Sequence, residues 1–333
     1  MKNFDLMRPE KAYKEVLKQR ELDGKAFFEK YNSHFADVLC PACGSKGADI
    51  FEKYGFKHDL CENCKTLFCS PRPPEELLAV YYNSYEAPKM WTSLLIRADV
   101  ERKILQYEPR VRKIVSAVKA RGGENGGIAL DLGAGSGAFS LCLKNTGFFK
   151  DVIALDFSES CVRACMDRGL NSLLGGIEKI SGNSVDLICM NDLIEHVFDP
   201  FSLLKECFRV LCDDGFISVA TPNGEGFDFK ILKNRTGNIT PPEHLNYFNP
   251  YSLELILTNA GFRTVFLETP GKLDVEIILK EKISGFPLKE NNEYMDHILE
   301  QDEGVLDNFQ KFLSENKLSS HMLALAQKSG GRL

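Results

Sequence analysis

No apolar run in this sequence approaches the roughly 20 residues that a membrane-spanning helix needs. The longest, at 185–190 and 216–220, fall far short, so a soluble protein without a membrane contact is expected. Basic charge is also scarce: Lys and Arg number 41 against 47 Asp and Glu, for a net charge of −6. No overall positive field would gather nucleic acid or an anionic membrane, and nucleic acid is not an expected partner. The first twenty residues mix both charge signs and lack the apolar stretch and small-residue cleavage site of a secretory leader, which gives a cytoplasmic expectation. Tryptophan occurs once, and neither internal repeats nor low-complexity tracts are found. Content of 44% hydrophobic and 26% charged residues over 333 positions rules out disorder and suffices for one large or two modest domains.

Cysteine, by contrast, is plentiful at eleven. A disulfide scaffold is not expected in a chain of this length without a leader. Cys142, Cys161, Cys165, Cys189, Cys207 and Cys212 sit in apolar helix or strand patterns and read as small buried hydrophobes. Cys40-Pro-Ala-Cys43 and Cys61-Glu-Asn-Cys64 are two C-x-x-C pairs separated by seventeen residues, the spacing of a zinc ribbon. Four thiolates leave no open position on the metal, so the expected Zn2+ is structural. Idle reduced thiols and a redox C-x-x-C are the competing readings. Cys69 and His58 read as bystanders, and the ribbon lacks the Lys/Arg density that RNA would require.

Composition divides the chain into a helical extension (1–37) of one or two short amphipathic helices, a ribbon forming a module of its own (38–74), a helical connector (75–126) and a larger domain (127–333). Within the connector, 75–82 and 94–119 read as helices, stopped by the Gly-rich 121–127. After residue 127, short apolar runs at 128–132, 152–156, 185–190 and 216–221 alternate with amphipathic helices, which predicts a parallel α/β sheet covered on both faces. A helix at 249–260, a strand at 263–268, a charged helical insertion at about 271–320 and a last strand at 322–327 complete the pattern.

Residues 129–137, Ala-Leu-Asp-Leu-Gly-Ala-Gly-Ser-Gly, join a buried strand to a helix. Gly133, Gly135 and Ala138 also satisfy a dinucleotide fingerprint, so the loop alone leaves NAD open. Asp156 ends the next strand nineteen residues after Gly137 and could hold ribose hydroxyls of either ligand. Asp131 discriminates: a carboxylate directly before the loop suits the ammonium of an amino acid and is unhelpful beside a pyrophosphate. The expected cofactor is S-adenosylmethionine.

Together with Asp156, the segment 185–200 with its Asn191-Asp-Leu-Ile-Glu195-His196, and Thr221-Pro-Asn, this loop resembles the class I S-adenosylmethionine-dependent methyltransferases from about residue 128 onward. The resemblance implies a seven-stranded Rossmann-like sheet with a reversed last strand, with the ribbon in front and the helical insertion before the final strand. It implies cofactor contacts from Asp131, Gly133, Gly135, Asp156, Phe157 and Asn191, with Ile177 or Glu178 near the adenine. The ribbon followed by a Tyr-rich segment is similar to a subgroup acting on sugars or other small metabolites. The expected function is methyl transfer to oxygen or carbon of a small polar acceptor such as a sugar. RNA methylation and a non-catalytic adapter role are the alternatives, and the oligomeric state is left open.

A base is needed only for hydroxyl or carbon acceptors. His244, in the loop 240–248, is the preferred one, assisted by Glu195 and His196; Tyr247 either orients substrate or packs. Asp192, Glu195 and His196 also match the spacing that related quinone O-methyltransferases use for a metal, against a reading in which Glu195 and His196 merely shape the pocket. His34, His58 and His297 carry no motif, and His321 could reach the pocket only through its place before the last strand. Tyr81, Tyr82, Tyr85 and Trp91 are expected to form a seam between ribbon and domain, or a lid.

Overall fold

The computed structural model describes residues 2–121, 126–283 and 293–330. Eleven strands run in chain order: β1 (Gly47–Lys53), β2 (Phe56–Cys61), β3 (Leu67–Cys69), β4 (Gly126–Leu132), β5 (Phe149–Asp156), β6 (Asn171–Leu174), β7 (Val185–Asn191), β8 (Leu211–Pro222), β9 (Asn246–Tyr247), β10 (Phe262–Glu268) and β11 (His321–Lys328). The main sheet has seven strands in the order β10-β11-β8-β7-β4-β5-β6. β11 is antiparallel to both neighbours, whereas β8, β7, β4, β5 and β6 pair in parallel. The strand order reverses at β4, next to β7, and ligands of open α/β sheets bind beyond the carboxyl ends at such a point. The glycine loop leaves the end of β4 there.

The expected strands form, each somewhat longer than its apolar run. β6 went unseen in the sequence because it is a four-residue edge strand with no buried residue. The predicted helix after Phe248 runs Pro250–Asn259, and Asn249 closes its start through a reciprocal capping box with Ser252. Three helices, Asp274–Ile283, Glu293–Leu299 and Glu303–Glu315, make up the insertion before β11. Part of that expected segment, 284–292, lies outside the described residues, as do 122–125 of the Gly-rich stop.

The N-terminal segment departs from the expected short helices. After Lys2–Met7, one helix of 22 residues spans Glu10–Tyr31. It tolerates Gly24 because the helix runs against the loop before His244: a Cβ there would stand 2.9 Å from the Pro241 carbonyl oxygen. Phe27 of this helix packs on Tyr81 and Tyr85, and Phe28 and Phe35 on Phe56 of β2. The tyrosine seam therefore joins the ribbon to the N-terminal helix.

The ribbon is not a module of its own. Its sheet, β1-β2-β3, takes β9 as a fourth strand, with Leu67 opposite Tyr247 and Phe68 opposite Asn246. Cys40, Cys61, Cys64 and Phe68 share one continuous apolar core with Leu253, Ile256 and Leu257 of the following helix and with the main sheet. All eleven cysteines are free. Of the six outside the ribbon, Cys142, Cys165, Cys189 and Cys207 are buried as expected, but Cys161 and Cys212 are only half-buried. Among the described residues no helix is long and apolar enough to cross a membrane.

Candidate functional site

A cavity of about 1650 Å³ lies beyond the carboxyl ends of the strands and is lined by the glycine loop, by the ends of β5 and β7, and by the loop carrying His244. Ligand pockets usually span ~300–1,000 Å³, so this one has room for a cofactor and an acceptor together.

In its wall the backbone of Gly133 and Gly135 turns with φ of +76° and +54°. Nothing lies within 4 Å of a Cβ built on Gly135, so it is the left-handed backbone rather than crowding that calls for glycine there. The Gly135 amide donates to Asp156 Oδ2 at 2.9 Å and the Ser158 amide to Oδ1 at 2.8 Å, which fixes the carboxylate at the cavity wall. Burial raises the Asp156 pKa against these bonds. Asp131 is 1% exposed and accepts from Ser140 Oγ at 2.6 Å. Burial pushes its pKa up to about 6, opposed by Ser140 and the neighbouring Asn191 amide. Buried Asn191 Nδ2 makes no full hydrogen bond. Phe157 projects its ring, 78% exposed, beside Gly176 at the rim with Ile177 and Glu178.

These features fit S-adenosylmethionine: a buried anion for an ammonium, a carboxylate beside an open glycine turn for a ribose, and an exposed aromatic face. The residues expected from the sequence to hold the cofactor all line this cavity.

On the wall of the same cavity Glu195, His196 and His244 present one ligand atom each within 4.8 Å of one another. The two imidazole rings meet edge to face, with centroids 4.6 Å apart. His244 Nδ1 lies 2.7 Å from the Asn238 carbonyl oxygen, and His196 Nδ1 2.9 Å from that of Glu243 and 2.8 Å from Tyr82 Oη. A carbonyl can only accept, so both histidines carry their proton on Nδ1 and leave the Nε2 lone pair free. Burial pushes the His244 pKa well below its ordinary value, with the charges of His196 and Arg20 adding to the effect, and burial lowers His196 as well. Glu195 is fully buried. Thr221 Oγ1 donates to its Oε2 at 2.8 Å, while Oε1 has no partner and stands 3.9 Å from His196 Nε2. Burial and the charge of Asp192 push the Glu195 pKa well up.

Asp192 does not join that cluster. Its Oδ1 lies 2.8 Å from His321 Nε2, so the acid-x-x-Glu-His spacing is not gathered into one ligand set. Burial opposes its ionisation, but the bond and charge of His321, with Arg110 and Arg102, hold Asp192 well below the usual carboxylate range. Tyr82 and Trp91 line the cavity, whereas Tyr81 is buried. Tyr247 is also buried, and its Oη donates to the His244 carbonyl oxygen at 2.9 Å, so it braces the loop. His58 is buried against Cys69, with Nε2 3.3 Å from the thiol. Arg102, Arg110, Arg20 and His321, all on the cavity wall, carry no local motif; only the place of His321 before the last strand hinted at its reach.

The four ribbon thiols also lie within 4.8 Å of one another, with Cys40–Cys64 and Cys43–Cys61 Sγ separations of 3.4 Å. Zn–S bonds of about 2.3 Å in a tetrahedron require sulfurs ~3.8 Å apart, so the set fits one zinc ion with slight expansion. Backbone turns close each pair: the Gly44 amide donates to the Cys40 oxygen at 2.8 Å and the Lys65 amide to the Cys61 oxygen at 3.1 Å.

A family model described as a methyltransferase domain matches residues 103–267. A probable S-adenosylmethionine-dependent methyltransferase of Mycobacterium tuberculosis is 31% identical over 124 residues, which is 34% of this chain and 41% of that protein. A counterpart in Mycolicibacterium smegmatis is 34% identical over 118 residues, covering 33% and 43%. The chain thus spans about two fifths of the curated relatives it matches. Solved structures similar to it include a methyltransferase from Archaeoglobus fulgidus (TM-score 0.45, 19% identity, 66% of this chain and 92% of that one). The YcgJ protein of Bacillus subtilis is another (TM-score 0.42, 18% identity, 66% and 99%). Residues 103–267 thus carry the match to a methyltransferase domain, and over part of its length the chain is similar to S-adenosylmethionine-dependent methyltransferases.

Proposed function

We propose that the protein transfers the methyl group of S-adenosylmethionine to an oxygen or carbon of a small polar acceptor, with a sugar or sugar-linked intermediate as the expected class, in the cytoplasm. The reading rests on one observation: one large cavity is lined both by the glycine loop with Asp131 and Asp156 and by two imidazoles whose Nε2 atoms are free.

Asp131, Gly133, Gly135, Asp156, Phe157 and Asn191 would hold the cofactor, which when bound supplies an electrophilic methyl on sulfur. In-line transfer gains most from alignment and exclusion of water, and Tyr82 and Trp91 help wall the acceptor end. His244 Nε2 takes the proton of the acceptor hydroxyl or carbon acid. Its low pKa keeps it neutral, so the lone pair is available at neutral pH. His196 supports it edge-on, and Glu195, kept protonated by burial, adds no negative charge beside the histidines. Cys40, Cys43, Cys61 and Cys64 would hold a structural zinc ion, which contributes rigidity and no reactive position.

The test is to incubate the purified full chain with S-adenosylmethionine and a panel of sugar nucleotides and hydroxylated metabolites, reading S-adenosylhomocysteine release and product mass. Methylated product with one acceptor class is expected. Failure to bind S-adenosylhomocysteine, with NADH bound instead, overturns the assignment.

A further inference from the structure

His321 and Asp192 form a pair on the cavity wall that the mechanism above does not use. They stand 129 positions apart, and both side chains are partly exposed. The turn after β7 aims the acid: Asp192 has a left-handed backbone, with φ of +52°, and its amide donates to the Ala220 oxygen at 2.8 Å. Such a backbone is uncommon outside glycine, and its strain collects at functional sites. The histidine is fixed from its own side. Opposite Pro222, the last residue of β8, it stands at the carboxyl ends of the parallel strands. Ser319 and Ser320 precede it, and buried Asp274 accepts from the Ser319 hydroxyl and, at 2.6 Å, from the Ser320 amide. Asn223 donates through Nδ2 to the Ser319 oxygen and through its amide to the Ser320 oxygen, at 2.9 Å each.

A carboxylate can only accept, so the 2.8 Å contact with Asp192 Oδ1 places a proton on His321 Nε2. Burial opposes ionisation of Asp192, but His321 with Arg110 and Arg102 outweighs it and keeps the carboxylate anionic. An anion at Nε2 fixes the tautomer and stabilises the imidazolium when Nδ1 takes a second proton. Among the described residues Nδ1 has no hydrogen-bond partner, so it is the atom that can exchange a proton with a ligand. His244 is built the opposite way: burial, with the charges of His196 and Arg20, keeps it neutral. One site favours the neutral ring and the other supplies a counter-ion for the charged one, an arrangement suited to a base and an acid.

We propose that His321, oriented by Asp192, is a second proton-transfer residue, donating from Nδ1 to an acceptor oxygen while His244 Nε2 withdraws a proton. The inference rests on the methyl-transfer reading above and narrows its acceptor. Methylation of a hydroxyl requires the removal of one proton, and the departing thioether is neutral and takes up none. A donor becomes useful where the acceptor is a carbonyl compound methylated on the neighbouring carbon. There His244 takes the C–H proton, the electron pair of that bond forms the C=C bond of an enol, and the carbonyl oxygen receives the His321 proton. The enol carbon then takes up the methyl group as the C–S bond breaks with its pair left on sulfur. The oxygen returns its proton to His321 as the carbonyl re-forms, and His244 releases the proton it took to water.

In the test the full chain, with S-adenosylhomocysteine added so that no methyl is transferred, is incubated in deuterated water with keto sugars and α-keto acids, each beside its corresponding alcohol. Mass spectrometry should show deuterium entering one class of ketone at the carbon beside the carbonyl, faster than without protein, and none entering the alcohols at carbon. His321→Gln keeps a donor for Asp192 but cannot pass a proton, so it should slow the exchange about a hundredfold or more with S-adenosylhomocysteine affinity unchanged by calorimetry. Nitrogen NMR of the histidine rings should find the His321 proton on Nε2, and Asp192→Ala should slow the exchange and free that proton to occupy either ring nitrogen. Exchange indifferent to His321→Gln, exchange with no ketone, or a product methylated on a hydroxyl oxygen would overturn the inference. So would loss of S-adenosylhomocysteine binding in the His321 variant, which would give the residue to the cofactor or the fold. If the unaltered chain binds no S-adenosylhomocysteine, the cofactor reading itself fails, and this inference with it.

Discussion

Arg20 and Glu243, 223 positions apart, form a buried double hydrogen bond: Nε to Oε1 at 3.1 Å and Nη2 to Oε2 at 2.6 Å. Their side chains are only 5% and 3% exposed. Tyr81 Oη adds a third donor to Oε1 at 3.3 Å, and the Arg20 guanidinium lies 4.5 Å above the Trp91 ring. Glu243 immediately precedes His244, and its carbonyl oxygen accepts from His196 Nδ1. The N-terminal helix therefore anchors the loop that sets both histidines.

Removing one member of a buried pair leaves the other charge stranded. Arg20→Met should cost about 3–5 kcal/mol of stability and lower methyl transfer by loosening His244. Replacing both partners, as in Arg20→Met with Glu243→Leu, should recover much of the stability but not the activity. Chemical denaturation of the single and double variants checks this. A double variant as unstable as the single one would refute it.

On its opposite side the same loop is held by the ribbon. β9 pairs with β3, the Cys69 amide donates to the Leu245 oxygen at 2.9 Å, and Asn249 Nδ2 donates to the Cys64 oxygen at 2.8 Å. Metal in the four-cysteine cluster should thus affect catalysis without touching substrate. Metal analysis should find one zinc per chain, and Cys61→Ser should lower the melting temperature by at least ~5 °C and reduce turnover. A metal-free protein with full stability and activity would refute the zinc assignment.

If His244 is the base proposed above and not a cofactor contact, His244→Ala should lower methyl transfer by roughly 10²–10⁴ with S-adenosylhomocysteine affinity unchanged. The depressed His244 pKa also has a sign. The base form prevails above that pKa, so activity should persist with falling pH past 6.5, where an ordinary histidine would already be half protonated. In the stability balance the same group resists charging when folded, so acid below the unfolded value of about 6.5 favours unfolding. An activity profile that breaks at 6.5 or above would argue against His244 as the base.

How much of this was legible in the sequence depends on the range of each interaction. The glycine loop, Asp131, Asp156 and the two C-x-x-C pairs carry their geometry within a few residues, and they read directly. Alternation of apolar runs and amphipathic helices likewise gave the main sheet, since burial on both faces leaves a strong local pattern. Arg20–Glu243, His321–Asp192 and the insertion of β9 into the ribbon sheet join distant segments and have no local signature; β9 is only two residues long. Arg102 and Arg110 fall within the helix expected at 94–119, and the π-helical stretch between them is not encoded by spacing. Treating the ribbon as separate failed for the same reason: its cysteines pack against a helix almost 190 residues downstream of Cys61, at 250–259.

The last expectation concerns Asp131. Burial pushes its pKa up to about 6, whereas the unperturbed value is 3.8. An ammonium ligand needs the ionised form, so binding below pH 6 must expel a proton, and affinity should fall by up to about tenfold for each further pH unit. The α-amino group, with a pKa of about 7.7–8.0, remains a cation throughout this window and does not confuse the reading. S-adenosylhomocysteine titrations between pH 5 and 7 should therefore show affinity rising with pH and levelling above 6. Asp131→Asn should weaken binding at pH 7 and abolish the slope, because its amide cannot ionise. Asp228, also raised to about 6, does not line the cavity and should leave the slope in place when replaced by Asn. A slope that survives Asp131→Asn would mean that another group meets the ammonium, and the assignment of Asp131 would fail.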